Sequence, residues 1–162
     1  MIQYVETFSR RINQMVEFFL FGLGFCMTVT VAVQVFFRYV LNHSLFWSEE
    51  LARYLLVWLT FLGSSSAYYR KVHPGIDFLF EKMPASLKKI ATLCVRIASL
   101  SLFGVMIIFG FRFACFVRLQ ISPALYLPKW IVFSIIPLSG LILFIHGLVF
   151  IAKDSAGKGR DG

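Results

Sequence analysis

Few residues of this chain could do chemistry, and the most suggestive of them stand together in one short stretch. Glu49 and Glu50 are adjacent, and Arg53 follows them by four and three positions. Side chains at adjacent positions of a helix point in different directions, so this pair does not predict acid–base catalysis. Ser48 is a favourable N-cap, and carboxylates in the first turn of a helix are stabilised by the helix dipole. With Arg38 nearby, these residues predict an ion network at the rim of a helix bundle.

The histidines and cysteines do not form a recognisable site. Of the three histidines, only His146 lies inside an apolar run, whereas bis-histidine haem ligation needs two at matching depth. We expect His146 to have a packing or interfacial role. The three cysteines lack metal-ligand spacing, and the sequence has no phosphate-binding loop or nucleophile motif. The sequence therefore predicts no cofactor, no metal and no enzymatic activity.

Four long apolar runs must position these residues. Three of them, residues 18–37, 54–69 and 130–152, carry no charged residue, and the fourth, residues 90–111, is interrupted only by Arg96. A bilayer core about 30 Å thick needs about 20 helical residues. We therefore predict an all-α integral membrane protein with four transmembrane helices. The transmembrane domain is predicted over residues 16–152, with spans at about residues 16–38, 51–69, 88–111 and 130–152.

The distribution of Lys and Arg predicts how the helices are oriented. Ten lie before the first span, between the second and third, or after the fourth, and five lie on the opposite side. Because cytoplasmic loops are enriched in Lys and Arg, both termini are predicted to be cytoplasmic. The same bias accounts for much of the net charge of +8. No soluble domain carries a basic stripe, so a nucleic-acid partner is not expected.

The segments that flank the spans are short. Residues 1–15 are predicted to form a cytoplasmic amphipathic helix on the membrane surface, with a frayed tail as the alternative. Residues 153–162 are predicted to form a cytoplasmic tail. The amphipathic pattern rests on apolar residues at spacings of three and four, namely Ile2, Val5, Phe8, Ile12 and Met15.

Three features within the spans bear on helix contacts and shape. Gly63 and Ala67 are small residues at a spacing of four, which lets another helix approach closely, either from this chain or from a partner. Arg96 is predicted to reach the cytoplasmic headgroups or to contact the bundle or a partner. Pro137 predicts a kink about two turns into the fourth span.

The order of several short motifs resembles the small membrane subunit (DctQ type) of tripartite ATP-independent periplasmic, or TRAP, transporters. The resemblance covers about residues 15–151, and it departs from the usual family pattern where Pro74 and Gly75 separate His73 from Asp77. It rests on these residues in chain order: Arg38, Trp47, Ser48, Glu49, Glu50, Leu51, Ala52, Arg53, Trp58, Gly63, Arg70, His73, Asp77, Ser122, Pro123, Ala124, Leu125, Pro128, Trp130 and Pro137.

The resemblance implies a multi-pass subunit of a complex in a bacterial inner membrane. In such a complex a periplasmic binding protein delivers an organic anion, such as a C4-dicarboxylate or sialic acid, to a large sodium-driven subunit. This chain would be the accessory subunit that binds and braces the large one. The large subunit is expected to be a separate chain, because this sequence ends soon after the fourth span. Arg96 is then a candidate contact with the large subunit, and membrane lipids surround the spans.

One stretch carries more basic residues than a translocated loop usually does. Arg112, Arg118 and Lys129 occur within residues 112–129, which contain no acidic residue. These side chains are predicted either to bind anionic lipid headgroups or, together with Ser122, to orient the binding protein as it docks.

The acidic residues favour an accessory role and leave two alternatives. All eight lie at or outside the ends of the predicted spans, whereas a proton relay needs a carboxylate or a chain of histidines within the membrane. A self-sufficient four-helix exporter acting as a homo-oligomer is the first alternative, although such transporters usually carry an acidic residue in the first helix and Glu17 lies only at its edge. A membrane enzyme is the second, although no nucleophile and base lie in register.

Overall fold

The fold is built from long helices. The computed structural model describes residues 2–70 and 84–157. Three stretches of this part are long and apolar enough to cross a membrane, namely Glu6–Tyr39, Ile90–Phe116 and Lys129–Ala152. The helices in chain order are α1 (Ile2–Tyr39), α2 (Phe46–Tyr69), α3 (Ala85–Phe116), α4 (Lys129–Phe133) and α5 (Ile135–Gly157).

The predicted all-α architecture is confirmed for the described residues. The helices contain all four predicted spans and extend beyond each of them at one or both ends. The third membrane-length stretch runs through α4 and α5, which together correspond to the predicted fourth span. The crossing of the membrane by α2, a helix of 24 residues, remains a prediction, as does the cytoplasmic position of the termini.

The outer surface of the bundle is strongly apolar, and its interior contains both apolar and polar side chains. Large apolar side chains such as Phe18 and Phe21 project outward, whereas several of the most deeply buried side chains are polar. Ser65 donates a hydrogen bond to the carbonyl of Leu62 at 2.7 Å, so its hydroxyl is satisfied within its own helix. Small hydroxyl residues of this kind let helices approach closely in an apolar medium.

One apolar cluster joins α1, α2 and α5. It is built on Val16, Leu62, Ile135 and Ile142, with half-buried side chains such as Trp58 packed around it. Because the members come from three helices far apart in sequence, the cluster fixes the packing of α1 and α2 against α5.

Helices α3 and α5 approach each other closely at two glycines. A Cβ atom at Gly110 would lie 2.8 Å from Cγ2 of Ile136 and 3.0 Å from the backbone nitrogen of Pro137. A Cβ atom at Gly140 would lie 3.0 Å from Cβ of Met106. These distances are shorter than an ordinary contact between carbon atoms, so a side chain at either position would require its neighbours to shift.

The helix break near Pro137 has a simple cause. Proline lacks an N–H, and its ring clashes with the carbonyl four residues earlier, which belongs to Phe133, the last residue of α4. The interruption falls at Ser134, whose N–H donates to the carbonyl of Trp130 at 2.9 Å and whose carbonyl accepts from the N–H of Leu138 at 3.2 Å. The helix is thus interrupted three residues before Pro137, and the kink expected at that proline stays a prediction.

The first part of α1 packs into the bundle through a polar face. The helix continues without interruption from Ile2 to Tyr39, so the predicted amphipathic segment and the first span are one element. Ser9 and Asn13 are buried, whereas Phe8 and Met15 are exposed. The position of this segment at a membrane surface remains a prediction.

Candidate functional site

The start of α2 differs from the prediction. The helix begins at Phe46, and Leu45 stands at the N-cap position without a side-chain hydrogen bond. Ser48 is fully buried, and its hydroxyl donates to the carbonyl of Leu45 at 2.6 Å. The predicted N-cap role of Ser48 is therefore wrong: its hydroxyl turns back toward the preceding chain, and the helix starts two residues earlier.

Glu50 accepts hydrogen bonds from three groups. Its Oε2 atom accepts from the backbone N–H groups of Ala124 at 2.9 Å and Leu125 at 3.2 Å. Its Oε1 atom accepts from the hydroxyl of Tyr54 at 2.6 Å, and the hydroxyl of Ser122, which accepts from the N–H of Leu125 at 3.3 Å, is near enough to lower the pKa of the carboxyl. We call these five residues the Glu50 cluster. The carboxylate thereby ties the beginning of α2 to a loop more than 70 positions later in the chain.

These contacts lower the pKa of Glu50. The hydroxyl of Ser122 has the largest effect, followed by that of Tyr54, and both stabilise the ionised form. Desolvation acts in the opposite direction, but the balance lowers the pKa of Glu50 from 4.5 to about 2. Glu50 is consequently a permanent anion at any physiological pH.

The loop that Glu50 holds is a compact hairpin, residues 120–129, which we call the 120–129 hairpin. Its base is closed by hydrogen bonds from the N–H of Ser122 to the carbonyl of Leu127 and from the N–H of Lys129 to the carbonyl of Gln120, both at 2.9 Å. Tyr126, at its tip, has a positive φ of 55° and is 80% exposed. The hairpin therefore presents a shaped tip outside the bundle.

The predicted rim network forms only in part. Arg53 and Glu49 lie 3.6 Å apart on the exposed side of α2, and Nε2 of Gln34 lies 3.5 Å from the Glu49 carboxylate. Arg38 instead lies over the ring of Tyr39, 5.9 Å from its centroid. Glu50 points into its own cluster. The structure therefore joins Glu49 to Arg53 and separates both from the carboxylate of Glu50.

The other predicted rim residues lie in the hairpin or at nearby positions of the sequence and of the helix ends. Arg112 and Arg118 are exposed, and Nζ of Lys129 donates to the side-chain oxygen of Gln120 at 3.3 Å. Pro128 pairs with Ile121 at the base of the hairpin. Trp47 and Trp130 are exposed. Ser122 is buried, so it holds the hairpin from within and does not itself form part of the outer surface.

A second polar cluster lies at the far end of α2 from Glu50. Oε1 of Glu17 accepts hydrogen bonds from Nη2 of Arg70 at 2.7 Å, from Nδ2 of Asn13 at 2.7 Å and, at 3.4 Å, from the hydroxyl of Ser66. We call these four residues the Glu17 cluster. It joins α1 to the end of α2 by an ion pair and neutral hydrogen bonds.

His146 occupies a buried position beside the Glu17 cluster. The hydroxyl of Ser9 lies 2.7 Å from its Nδ1 atom, and the ring of Tyr69 lies 5.0 Å away between centroids. The packing role expected for His146 fits this position. Ser9 and Asn13 were not singled out in the sequence, although their spacing of four with Glu17 places all three on one face of α1.

The remaining predicted residues have separate positions. A Cβ atom at Gly63 would lie 3.9 Å from Cδ2 of Leu20, so this glycine faces α1 of the same chain, and Ala67 is half-buried one turn later. Arg96 is half-buried on α3, and its charge acts on Tyr68 of α2. His73 and Asp77 lie outside the described residues.

Within residues 2–70 and 84–157, no group of three His, Cys, Asp or Glu side chains could hold a metal ion.

The family model and the similar proteins found for this chain all describe the same family. Residues 27–157 match the family model described as tripartite ATP-independent periplasmic transporters, DctQ component. The sialic acid TRAP transporter small permease protein SiaQ of Vibrio cholerae serotype O1 is 31% identical over 110 residues, which are 68% of this chain and 64% of the relative. The C4-dicarboxylate TRAP transporter small permease protein DctQ of the same organism is 28% identical over 106 residues, 65% of this chain and 44% of the relative.

A third relative is much longer than this chain. The isethionate TRAP transporter permease protein DctMQ of Oleidesulfovibrio alaskensis is 25% identical over 119 residues, which are 70% of this chain but 18% of the relative. The chain also spans less than two thirds of the length of the two Vibrio cholerae relatives. The family match covers most of the chain and includes α2 to α5 and the Glu50 cluster. The chain is therefore a multi-pass inner-membrane protein that belongs to the DctQ component family of TRAP transporters.

Proposed function

We propose that this chain is the small accessory subunit of a sodium-coupled TRAP transporter. It binds and braces a large permease subunit, and the complex imports an organic anion that a periplasmic binding protein delivers. The names of the relatives support the class of substrate, since sialic acid, C4-dicarboxylates and isethionate are all organic anions. They do not select one of these substrates for this chain.

The partners of two carboxylates are the observation that carries this proposal. Glu50 accepts hydrogen bonds from the 120–129 hairpin, and Glu17 forms an ion pair with Arg70. A carboxylate that moves ions or protons through a membrane must lie within the bundle and change its partners. Both of these carboxylates instead connect elements of the same chain, which favours a structural subunit over an autonomous transporter.

The long relative supports a partnership with a larger permease. A segment similar to this chain makes up 18% of DctMQ, so the counterpart of this chain is joined there to a much larger permease protein. We infer that the large apolar side chains exposed on α1 and α3 are covered by lipid and by a large subunit in a separate chain. Arg96 on α3 remains a candidate contact with that subunit.

Reconstitution tests the division of labour. The chain alone, the large subunit with the binding protein, and all three together are placed in proteoliposomes with a sodium gradient. We expect sodium-dependent uptake of the anion with the three components and no flux of substrate or sodium with this chain alone. Robust flux from the chain alone would support the alternative of a homo-oligomeric exporter and contradict the accessory role.

We also propose that the basic residues around the 120–129 hairpin orient the binding protein. Arg112 and Arg118 are exposed, and charged rims of this kind raise association rates and set register. Changing Arg118→Glu and Lys129→Glu should lower uptake at limiting binding protein and allow partial recovery when that protein is in excess. The amount of assembled membrane complex should stay the same. Unchanged uptake at every concentration of binding protein would contradict the docking role and leave binding to anionic lipid headgroups as the role of these basic residues.

A further inference from the structure

The two adjacent carboxylates at the start of α2 have different surroundings. Glu49 is exposed, and its partners are the side chains of Arg53 at 3.6 Å and Gln34 at 3.5 Å. Glu50 is half-buried and accepts hydrogen bonds from the hydroxyl of Tyr54 and from the backbone N–H groups of Ala124 and Leu125. The two residues have the same side chain and the same formal charge, so their difference lies in what each carboxylate holds in place.

The turn that meets Glu50 has the geometry of an anion-binding site. The N–H groups of the consecutive residues Ala124 and Leu125 converge on one carboxylate oxygen, at 2.9 Å and 3.2 Å. Successive backbone N–H groups that converge in a turn form a concave site for an anion. The hydroxyl of Ser122, a residue that is 1% exposed, lies inside the turn and accepts from the N–H of Leu125 at 3.3 Å, and the hydroxyl of Tyr54 donates to the carboxylate from α2 at 2.6 Å.

The donors and the carboxylate come from different parts of the chain. The N–H groups belong to the connection between α3 and α4, whereas Glu50 belongs to α2. The base of the hairpin is closed by its own backbone bonds and by the pairing of Ile121 with Pro128. In its tip, the N–H of Leu125 also reaches the hydroxyl of Ser122 at 3.3 Å, whereas the N–H of Ala124 donates to Glu50 of another helix at 2.9 Å. Removal of Glu50 would take the acceptor from the N–H of Ala124 and one of two acceptors from the N–H of Leu125, which is unfavourable for a closed turn.

We propose that the turn at residues 122–125 is a carboxylate-binding site, that Glu50 is its built-in ligand, and that Glu50 thereby positions the tip of the 120–129 hairpin for docking. The docking step rests on the proposed function, whereas the binding site and the positioning of the tip stand on the geometry of this chain. The ligand class is a carboxylate, because two backbone N–H groups donate to one of its oxygens and the hydroxyl of Tyr54 donates to the other. The low pKa of Glu50 agrees with such a site.

The test measures the mobility of the tip directly. Tyr126→Cys, in a background without the three native cysteines, carries a spin label, since Tyr126 is exposed. The protein is studied as the assembled membrane complex in nanodiscs. We expect Glu50→Ala to increase the mobile fraction of the label several-fold, and Glu49→Ala to leave it unchanged. A label at Leu119, which precedes the hairpin and is exposed, should respond less than the label at Tyr126.

Chemical rescue identifies the ligand class. Glu50→Ala opens the space of a small carboxylate, so formate or acetate should restore the immobile tip, and chloride at the same ionic strength should not. Glu50→Gln keeps the shape and removes the charge, so it should loosen the tip even if Glu50→Ala proves unstable. An unchanged tip in both Glu50 variants, an equal response in Glu49→Ala, or equal rescue by chloride would each overturn the proposal.

Uptake assays separate this proposal from the proposed function. If the tip loosens in Glu50→Gln and uptake falls at limiting binding protein, both the positioning role and docking are supported. If the tip loosens and uptake is unchanged at every concentration of binding protein, the carboxylate site stands and the positioning of the tip for docking is contradicted. If the tip does not loosen, the site itself is contradicted, whatever the uptake.

Discussion

The two helix pairs of this bundle are held together by different means. Helices α1 and α2 are joined by the apolar cluster and also by polar side chains such as Glu17 and Arg70, and they leave room at Gly63, where a Cβ atom would lie 3.9 Å from Leu20. Helices α3 and α5 are joined by close approach at Gly110 and Gly140, where a Cβ atom would lie 2.8 Å and 3.0 Å from its nearest neighbour.

The difference follows from the apolar surroundings. Burying an apolar side chain between helices gains little when the alternative is an equally apolar lipid tail, so helices in a membrane associate through close packing or through polar contacts. Close packing depends on the fit of individual atoms and is disrupted by a single added methyl group. A polar contact involves flexible side chains and tolerates changes nearby. We therefore expect α3 and α5 to be far more sensitive to small substitutions than α1 and α2.

The largest effect is expected at Gly110. In Gly110→Ala the new Cβ atom would meet Ile136 at 2.8 Å and the ring and backbone nitrogen of Pro137 at 3.0 Å, and the proline cannot move aside. Overpacking of this kind costs about 1–3 kcal/mol. Thermal unfolding of the purified protein in detergent measures the loss.

Gly104→Ala is the matched control for this substitution. Gly104 lies on the same helix, and within the described part of the chain no atom lies within 4 Å of the position that its Cβ would take. Its replacement should leave stability unchanged or raise it, because alanine is the better helix former. Equal losses in the two variants would show that the α3–α5 contact is not the sensitive one.

The positions of the helices could be predicted from the sequence, but the contacts at the glycines could not. Apolar runs of about 20 residues have few structural solutions in a bilayer, so composition and length locate the helices. Gly22, Gly104 and Gly110 all lie in apolar stretches of similar composition, yet of the three only Gly110 meets a neighbour closer than 3 Å. That distinction depends on which helix packs against which face, and a single sequence does not contain it.

The candidate site shows the same limit at the level of single residues. The sequence placed Glu49 and Glu50 together at the start of α2, and it singled out Ser122. It did not connect Glu50 to a turn more than 70 residues away, because no local pattern records which of two identical neighbours faces that turn. The sequence does show Ser9, Asn13 and Glu17 at spacings of four, which places them on one helix face. The apolar residues of the same segment gave the more evident pattern, and the prediction followed them.

A moderate effect is expected for the ion pair between α1 and α2. The side chains of Arg70 and Glu17 are 59% and 36% exposed, so solvent weakens their attraction, and such pairs contribute about 0.2–1 kcal/mol. A double-mutant cycle with Glu17→Gln and Arg70→Gln measures this coupling as the departure from additivity. The more exposed pair of Glu49 and Arg53, at 3.6 Å, is the control and should show less coupling. Coupling above about 2 kcal/mol at Glu17 would contradict a tolerant polar contact.

The Glu50 cluster connects the two helix pairs, and its response to pH should be small over the physiological range. The folded-state pKa of Glu50 is lowered from 4.5 to about 2, so its contribution is fully present above pH 4.5 and is lost as the pH falls toward 2. The label at Tyr126 should therefore keep the same mobility from pH 7 to pH 5. The Glu50→Gln variant should be mobile at every pH. A wild-type label that loosens between pH 7 and pH 5 would contradict an ionised carboxylate held by the turn.

The smallest effect is expected at Gly63, the position where α1 and α2 leave room. A Cβ atom there would lie 3.9 Å from Cδ2 of Leu20, which is an ordinary van der Waals distance, so Gly63→Ala forces no neighbour to move. Alanine is favoured over glycine in a helix by up to about 1 kcal/mol, and a new methyl contact with Leu20 adds to that preference. The thermal unfolding of Gly63→Ala should therefore match or slightly exceed that of the unmodified chain. A loss comparable to that of Gly110→Ala would mean that α1 and α2 also depend on close packing, and the distinction between the two helix pairs would fail.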